Sequence, residues 1–130
     1  MMNLREVEVF KPYSNEFPEE MLLAEREDEA FVDAWLNAEI LRVGKRGEEV
    51  LGVYAMNRID SVNFELLGVI VSQRVRKQGL GRWLVGHAIG VAESKGGRYL
   101  HLKQTGSSRT FVNVGFVKDK DQWTFEMIQE

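Results

Sequence analysis

The sequence predicts an α+β (mixed α/β) fold in which one helix crosses between two central strands. A nearly continuous apolar run at 63–71 is typical of a central strand that is covered on both faces. A helical apolar periodicity follows at 79–95, and a short β-rich run follows it at 99–103. Because a strand, a helix and a strand in this order form a crossover unit, we expect these elements at the centre of a mixed sheet. The full predicted order is strand, helices, three strands, helix, strand, helix and two strands.

The length and composition favour a single domain over residues 1–130. A chain of 130 residues with 44% hydrophobic content has the size of one compact domain, and its two prolines mark no linker. The first residues lack the apolar core of a signal peptide, and no apolar run reaches about 18 residues, the length of a membrane span. We therefore expect a cytoplasmic protein, monomeric or homodimeric, with no membrane partner.

Charge and residue types argue against several classes of site. The formal net charge is −3, which disfavours a general nucleic-acid binder. The chain has no cysteine, so disulfides, thiolate nucleophiles and cysteine zinc sites are excluded. Its two histidines, His87 and His101, are expected to be packing or surface residues. We predict no metal site.

The remaining strands are predicted from alternation and turn composition. Residues 4–10 alternate apolar and acidic side chains, which indicates a half-buried first strand. The runs 39–43 and 49–56 flank Gly44-Lys45-Arg46-Gly47, a sequence typical of a hairpin turn. Residues 116–128 are predicted to form the closing hairpin around the polar residues 118–121.

Two long helical regions and one short helix are predicted. Phe17-Pro18-Glu19-Glu20 has the composition of a helix start, and helix is expected from there to about residue 37. Its apolar stripe is predicted to be core; its members are Phe31, Val32, Trp35 and Leu36. A short helix is predicted at 107–114.

The longer helix, 79–95, is placed by an apolar stripe and by a glycine stop. The stripe comprises Leu80, Leu84, Ala88 and Val91, and the helix is expected to end at Gly96-Gly97. Gly86 and Gly90 each cost about 1 kcal/mol in a helix relative to alanine. We therefore expect the face that carries them to pack closely on the sheet.

The stretch Arg74-Val-Arg-Lys-Gln-Gly-Leu-Gly-Arg82 combines four cations with two glycines at the start of this helix. The first amides of a helix lack partners within the helix, and the positive end of the helix dipole favours an anion. Gly79 and Gly81 would let a bulky phosphate approach the main chain. Because cations are unfavourable at this end of a helix without an anion, the stretch predicts a site for a pyrophosphate-bearing ligand.

Two common phosphate-binding motifs do not fit this stretch. A dinucleotide fingerprint would need a third glycine at position 84, which is Leu84. A P-loop would need two glycines separated by four residues, the second followed by lysine and then serine or threonine, and no such run occurs. A solvated loop and a basic surface for nucleic acid remain as alternatives, the second disfavoured by the net acidity.

Arg76-Lys77-Gln78-Gly79-Leu80-Gly81 resembles the Arg/Gln-x-x-Gly-x-Gly/Ala motif of the GNAT superfamily of N-acetyltransferases. Gly115-Phe116 is similar to the Gly-Phe pair that precedes the closing strands in that family. Together with the order of elements, the resemblance covers most of the chain. It implies a mixed, mostly antiparallel twisted sheet of about seven strands with about three or four helices.

The resemblance also implies a cosubstrate, acetyl-coenzyme A. In such proteins the loop binds the pyrophosphate, and the adjoining strand offers main-chain groups to the pantetheine arm. A bulge at Gly68 would separate strands four and five around that arm. The implied binding residues are Val69, Ile70, Val71, Arg76, Lys77, Gln78, Gly79, Leu80, Gly81 and Arg82.

The implied reaction is the transfer of an acetyl group to a primary amine of a small molecule, peptide or protein. Glu65, eleven residues before Arg76, corresponds to the catalytic glutamate of histone-type members, and burial among Phe64, Leu66 and Leu67 would raise its pKa. The alternative is a glutamate on an exposed strand edge. Without cysteine no acyl-thiol intermediate can form, so the amine would attack the thioester directly in a ternary complex.

One departure from the family pattern leaves a second function open. The tyrosine that usually protonates the leaving thiolate is replaced by Phe111, which has no proton to give. Ser107, Ser108 and Tyr99 carry hydroxyls nearby in sequence, without a predicted role. A non-catalytic acetyl-coenzyme A sensor is therefore the alternative to an acetyltransferase.

The acidic run at 16–29 is either a solvated face or a surface that attracts the amine.

Overall fold

The computed structural model of the chain describes residues 4–12, 21–22, 29–102, 114–119 and 122–127. Its two α-helices in these ranges are α1, Glu29–Leu36, and α2, Leu80–Ser94. Short 3₁₀ helices occupy Leu4–Glu6 and Gln73–Val75. The strands are β1 Glu8–Phe10, β2 Ile40–Arg46, β3 Glu49–Arg58, β4 Asn63–Val71, β5 Tyr99–Leu102, β6 Val117–Asp119 and β7 Gln122–Glu126.

The seven strands form one sheet in the order β1-β2-β3-β4-β5-β7-β6. Every neighbouring pair is antiparallel except β4 with β5, which are parallel and are connected through α2. This confirms the predicted mixed, mostly antiparallel sheet with a crossover at its centre. The number of α-helices in the described ranges is lower than the predicted three or four. Of the helical region predicted from residue 17 to about 37, residues 21–22 and 29–36 are helical, and residues 13–20 and 23–28 lie outside the described ranges. The short helix predicted at 107–114 lies outside them except for Val114, which is helical.

The central strand β4 coincides with the predicted apolar run and contains a bulge. Ala55 of β3 pairs with Gly68, whereas the next residue, Met56, pairs with Leu66, so Leu67 is the extra residue. Gly68 has a φ of +154°, which confirms that the bulge lies at the predicted glycine. The parallel pairing with β5 ends immediately before the bulge, at Leu66 and Leu102.

Helix α2 packs on one face of the sheet through five buried side chains: Leu80, Leu84, Val85, Ala88 and Ala92. Leu84 lies over Gly44 and Gly52, which are paired across β2 and β3. A Cβ atom at Gly52 would lie 2.6 Å from Leu84 Cδ1, and one at Gly44 would lie 3.3 Å from Leu84 Cδ2. The two sheet glycines therefore form the hollow that lets the helix approach.

This packing corrects the prediction for the helix glycines. Gly86 and Gly90 are exposed, and an added Cβ would meet nothing within 4 Å at either position. The close approach uses glycines of the sheet because the buried stripe of α2 runs through Leu84 and Ala88, on the other side of the helix. Ala92 rather than the half-buried Val91 completes that stripe.

Two strand predictions also differ from the structure. Gly44 is not part of the turn between β2 and β3, because it pairs within the sheet at a register shift. The turn is formed by residues 47–48, where Gly47 has a φ of +63°. The first strand begins at Glu8 rather than at residue 4, since Leu4–Glu6 is a 3₁₀ helix whose Leu4 carbonyl accepts a hydrogen bond from the Val7 amide at 3.1 Å.

The other face of the sheet is covered by α1, as its apolar stripe predicts. Val32 and Trp35 are buried, and the rings of Phe31 and Trp35 lie 5.5 Å apart. They join a cluster that includes Val43 and Val53 of the sheet. The closing hairpin is confirmed as β6 paired with β7. None of the helices in the described part of the chain combines the length and apolarity needed to cross a membrane.

The C-terminal end of α2 depends on close packing at Gly97. Gly96 has a φ of +88°, as expected for a glycine stop, and the Gly97 amide donates to the Ala92 carbonyl at 2.8 Å. A Cβ at Gly97 would lie 2.8 Å from that carbonyl oxygen and 2.8 Å from Phe64 Cδ1. There is no room for a methyl group at this position.

We therefore predict that Gly97→Ala lowers the free energy of unfolding by about 1–3 kcal/mol, because the backbone at the end of α2 must shift. Gly86→Ala is the matched control in the same helix: it has open space around it and should stabilise the protein by about 1 kcal/mol. Urea unfolding of both variants measures the difference. Equal stability of the two variants would contradict the packing described here.

Candidate functional site

The stretch from Arg76 to Arg82, called the 76–82 turn, is held at the end of the central strand. After β4 the Ser72 amide donates to the Leu51 carbonyl at 2.8 Å, and the buried Val75 anchors the 3₁₀ helix. Lys77 and Gly79 have φ values of +64° and +86°. These two left-handed residues turn the chain into α2.

The first amides of α2 have no acceptor among the described residues. The first helical bond of the turn runs from the Trp83 amide to the Gly79 carbonyl at 3.0 Å. The preceding amides, those of Leu80, Gly81 and Arg82, make no backbone hydrogen bond in the described ranges, and no side chain caps the helix. Unpaired amides at a helix start favour an anion, and the helix dipole acts in the same direction.

Gly81 brings this helix start against the end of β4. A Cβ added at Gly81 would lie 3.7 Å from Val71 Cγ2, an ordinary contact, so a methyl group fits but a longer side chain extends over the turn. At Gly79 the φ of +86° itself favours glycine. The two glycines thus have different roles: Gly79 shapes the turn, and Gly81 keeps the approach to the amides open.

The four cations of this region are not equivalent. Arg74 forms an ion pair with Glu49, and its hydrogen bond to that carboxylate lowers the pKa of Glu49. The Nε–H of Arg76 donates to the Val71 carbonyl at 3.0 Å. Lys77 and Arg82 are exposed and have no ion-pair partner in the described part of the chain. These two are therefore available to an anion at the turn, whereas Arg74 and Arg76 also tie the turn to β3 and β4.

The predicted pantetheine-binding residues lie where β4 separates from β5. Val69, Ile70 and Val71 pair with β3 on one side. On the other side, no described strand pairs with β4 beyond Leu66. The open edge begins at the bulge and ends at the 76–82 turn, so one extended ligand can follow it to the helix start.

Glu65 lies one residue before the end of the β4–β5 pairing. It is half-buried, between Asn57 of β3 and His101 of β5. The expectation that Glu65 is buried among Phe64, Leu66 and Leu67 is wrong, because Glu65 is only half-buried and alternation along the strand directs Phe64 and Leu66 to the opposite face, under α2. Within the described residues, no hydrogen bond or ion pair reaches the Glu65 carboxylate.

The two histidines make contacts that their sequence positions do not reveal. His87 Nδ1 lies 2.8 Å from the hydroxyl of the buried Tyr54, and burial lowers the pKa of His87. His101 bonds to Asn63 at 2.8 Å and to Thr124 at 3.0 Å. Sequence reasoning missed this second group, since its members are distant in sequence and only the sheet register brings them together.

Other predicted features lie partly outside the described ranges. Ser107, Ser108 and Phe111 are not described, and the acidic run 16–29 is described only at its end. Tyr99 is half-buried in β5. In the described part of the chain, no group of three or more His, Cys, Asp or Glu side chains is placed to hold a metal ion.

Comparisons with known proteins agree with this architecture. A sequence profile of the acetyltransferase (GNAT) family matches residues 3–116. No curated protein sequence matches the chain. Three solved structures show the same fold at low sequence identity.

The first is a GNAT family acetyltransferase from Elizabethkingia anophelis with acetyl-CoA bound. Its TM-score is 0.80 at 18% sequence identity, and the match covers 94% of this chain and 99% of that chain. A Bacillus subtilis acetyltransferase in complex with CoA has a TM-score of 0.75 at 18% identity, with 94% and 98% covered. The third, IAA acetyltransferase from Bacillus cereus, has a TM-score of 0.75 at 17% identity, with 93% and 99% covered.

At such identities the structural matches establish the fold, and the profile establishes the family. The matched residues include β4, the 76–82 turn and α2, the elements that form the candidate site. The chain therefore belongs to the GNAT family of acetyltransferases.

Proposed function

We propose that this protein transfers an acetyl group from acetyl-coenzyme A to a primary amine. One observation carries the proposal. The amides of Leu80, Gly81 and Arg82 have no acceptor among the described residues, and they lie at the end of the β4 edge that no described strand covers. A ligand with a pyrophosphate at one end of an extended arm fits both features. Two of the structural neighbours were solved with acetyl-CoA or CoA, which supports the same assignment here.

The cosubstrate would lie along β4 with its pyrophosphate at the 76–82 turn. The amides at the start of α2 would donate hydrogen bonds to the phosphate oxygens. The exposed side chains of Lys77 and Arg82 would add positive charge on the solvent side of the phosphates. The pantetheine arm would follow Val69, Ile70 and Val71. The thioester would then lie near the bulge, where β4 and β5 separate. Glu65 lies one residue before Leu66, the last residue of β4 that pairs with β5.

Glu65 would act as the general base. The acceptor reaches the site as an ammonium ion, which must lose a proton before its nitrogen can attack. The Glu65 carboxylate takes that proton, the amine nitrogen forms a bond to the acetyl carbon, and the carbon–sulfur bond breaks. The nitrogen loses a second proton as the amide forms, and this proton neutralises the leaving thiolate, so coenzyme A is released as the thiol. Because the chain has no cysteine, the amine attacks the thioester directly in a ternary complex.

The alternative function is a sensor that binds acetyl-coenzyme A without turnover. Phe111 favours it, because phenylalanine cannot protonate the leaving thiolate. The two functions predict the same cosubstrate site and differ only in whether coenzyme A is released.

The direct test is to measure coenzyme A thiol release from acetyl-coenzyme A with a panel of small amines, polyamines and peptides. We expect release that depends on at least one amine class, with the acetylated amine identified by mass spectrometry. Calorimetry on the same sample measures cosubstrate binding independently. Tight binding without release across the panel would favour the sensor, and absence of binding would contradict both functions.

Gly81→Leu should weaken coenzyme A binding by at least about tenfold, equivalent to about 1.4 kcal/mol, because the side chain extends over the amides at the helix start. Gly86→Leu, five residues further along the exposed side of α2, is the matched control and should bind normally. Calorimetry gives both dissociation constants, and thermal unfolding checks that both variants fold. Equal affinity in the two variants would exclude the turn as the pyrophosphate site.

Glu65→Gln should lower kcat by about 10²- to 10⁴-fold while the Kd for acetyl-coenzyme A stays unchanged. The amide is isosteric but cannot accept the proton of the ammonium. Steady-state kinetics with the best amine from the panel provide the measurement. Full activity in this variant would remove Glu65 from the mechanism.

A further inference from the structure

Four polar residues form a continuous hydrogen-bonded group beside Glu65, called here the Asp60–Thr124 network. Asp60, in the turn between β3 and β4, accepts from the amides of Val62 and Asn63 at 3.0 and 2.8 Å. The side-chain nitrogen of Asn63 lies 3.0 Å from both carboxylate oxygens of Asp60. Asn63 Oδ1 lies 2.8 Å from His101 Nε2, and His101 Nδ1 lies 3.0 Å from Thr124 Oγ1.

The carboxylate at one end determines the direction of every hydrogen bond in the network. Asp60 can only accept, because its pKa is lowered chiefly by the hydrogen bond from the Val62 amide, with further hydrogen bonds from Asn63. Asn63 must therefore direct its amide nitrogen to Asp60 and its oxygen to His101. His101 Nε2 must then carry a hydrogen to donate to that oxygen.

The position of the hydrogen on the His101 ring also determines the direction of the hydrogen bond between His101 and the Thr124 hydroxyl. A neutral imidazole with its hydrogen on Nε2 has an acceptor at Nδ1. When the His101 ring is in this neutral form, Thr124 donates its only hydroxyl hydrogen to His101. The oxygen of Thr124 keeps both of its lone pairs, so towards any ligand on this face it acts as an acceptor.

Thr124 and Glu65 lie on the same face of the sheet. Asn63 and Glu65 are two residues apart on β4, and His101 pairs with Glu65 on one side and with Thr124 on the other. Glu65, His101 and Thr124 are all half-buried. This row lies one residue before the point at which β4 and β5 separate, next to the proposed thioester position.

Within the described ranges, the three strands that form this row offer hydrogen-bond acceptors and no cationic side chain. The segments β4, β5 and β7 contain no lysine or arginine. Glu126, opposite Tyr99, adds a further carboxylate at the exposed end of β7. Such a surface suits a ligand that brings both the donors and the positive charge, as a protonated primary amine does.

We propose that Thr124 is a substrate-binding residue, whose oxygen accepts a hydrogen bond from the acceptor amine while Glu65 accepts its proton. Asp60, Asn63 and His101 are positioning residues, which act by keeping the Thr124 hydroxyl hydrogen directed away from the amine. The proposal rests on the proposed function for the role of Glu65.

Thr124→Val removes the hydroxyl without changing the shape of the side chain, and Thr124→Ser, the matched control, keeps the hydroxyl. We expect the KM for the amine to rise at least about tenfold in the valine variant, equivalent to about 1.4 kcal/mol, and to stay within about threefold in the serine variant. The Kd for coenzyme A should not change in either. Equal KM values in the two variants would overturn the proposal.

Nitrogen-15 NMR of the His101 ring tests the orientation of the network without turnover. We expect the hydrogen on Nε2 in the wild-type protein and in Thr124→Ser. A ring protonated on Nδ1, alone or in addition to Nε2, would overturn the assignment of Thr124 as an acceptor.

A failure of the proposed function is distinguishable from a failure of this inference. If no amine is acetylated, the same amines are titrated into the coenzyme A complex while the His101 ring signals are recorded. Changes in wild type and in Thr124→Ser, but not in Thr124→Val, support Thr124 as the amine contact. Unchanged signals in all three proteins overturn it.

Discussion

The packing of Leu84 over the paired glycines Gly44 and Gly52 determines where the long helix begins. Because neither glycine has a side chain, α2 lies close to β2 and β3, and its first turn abuts the end of β4 at Val71. That contact brings the amides at the helix start, which have no acceptor among the described residues, to the end of a strand whose outer edge pairs with no described strand beyond Leu66. The anion site and the edge that leads to it are thus consequences of one helix–sheet contact.

The bulge at Gly68 supplies the second requirement. It interrupts the register between β3 and β4 just after Leu66, the last residue that pairs with β5. Before the bulge, neighbouring strands hold Glu65, His101 and Thr124 in one half-buried row. After it, no described strand pairs with this edge of β4. The two substrates of a transfer reaction would meet at this boundary, the cosubstrate from the helix side and the amine from the polar face.

The fold was predictable wherever local patterns and burial coincide. The continuous apolar run gave β4 with its bounds, and the spacing of Leu80, Leu84 and Ala88 gave α2. The prediction of close packing at Gly86 and Gly90 was wrong, since composition alone does not show which glycines face another element. The closing hairpin and the glycine stop were recognisable because their sequence signals are local. The same distinction applies to the site. The 76–82 turn could be predicted because its residues are contiguous in sequence. The Asp60–Thr124 network could not, because only the pairing of the strands brings its residues together.

The proposed function requires that the amides of Leu80, Gly81 and Arg82 bind the pyrophosphate of coenzyme A. The most direct measurement is an amide NMR titration of the ¹⁵N-labelled protein with coenzyme A. We expect large downfield changes in the amide proton chemical shifts of these three residues, because their hydrogen bonds would go to a charged acceptor. The amide of Ala88, within the same helix, should show only a small change in chemical shift. Saturable binding that leaves the three amides unperturbed would contradict it.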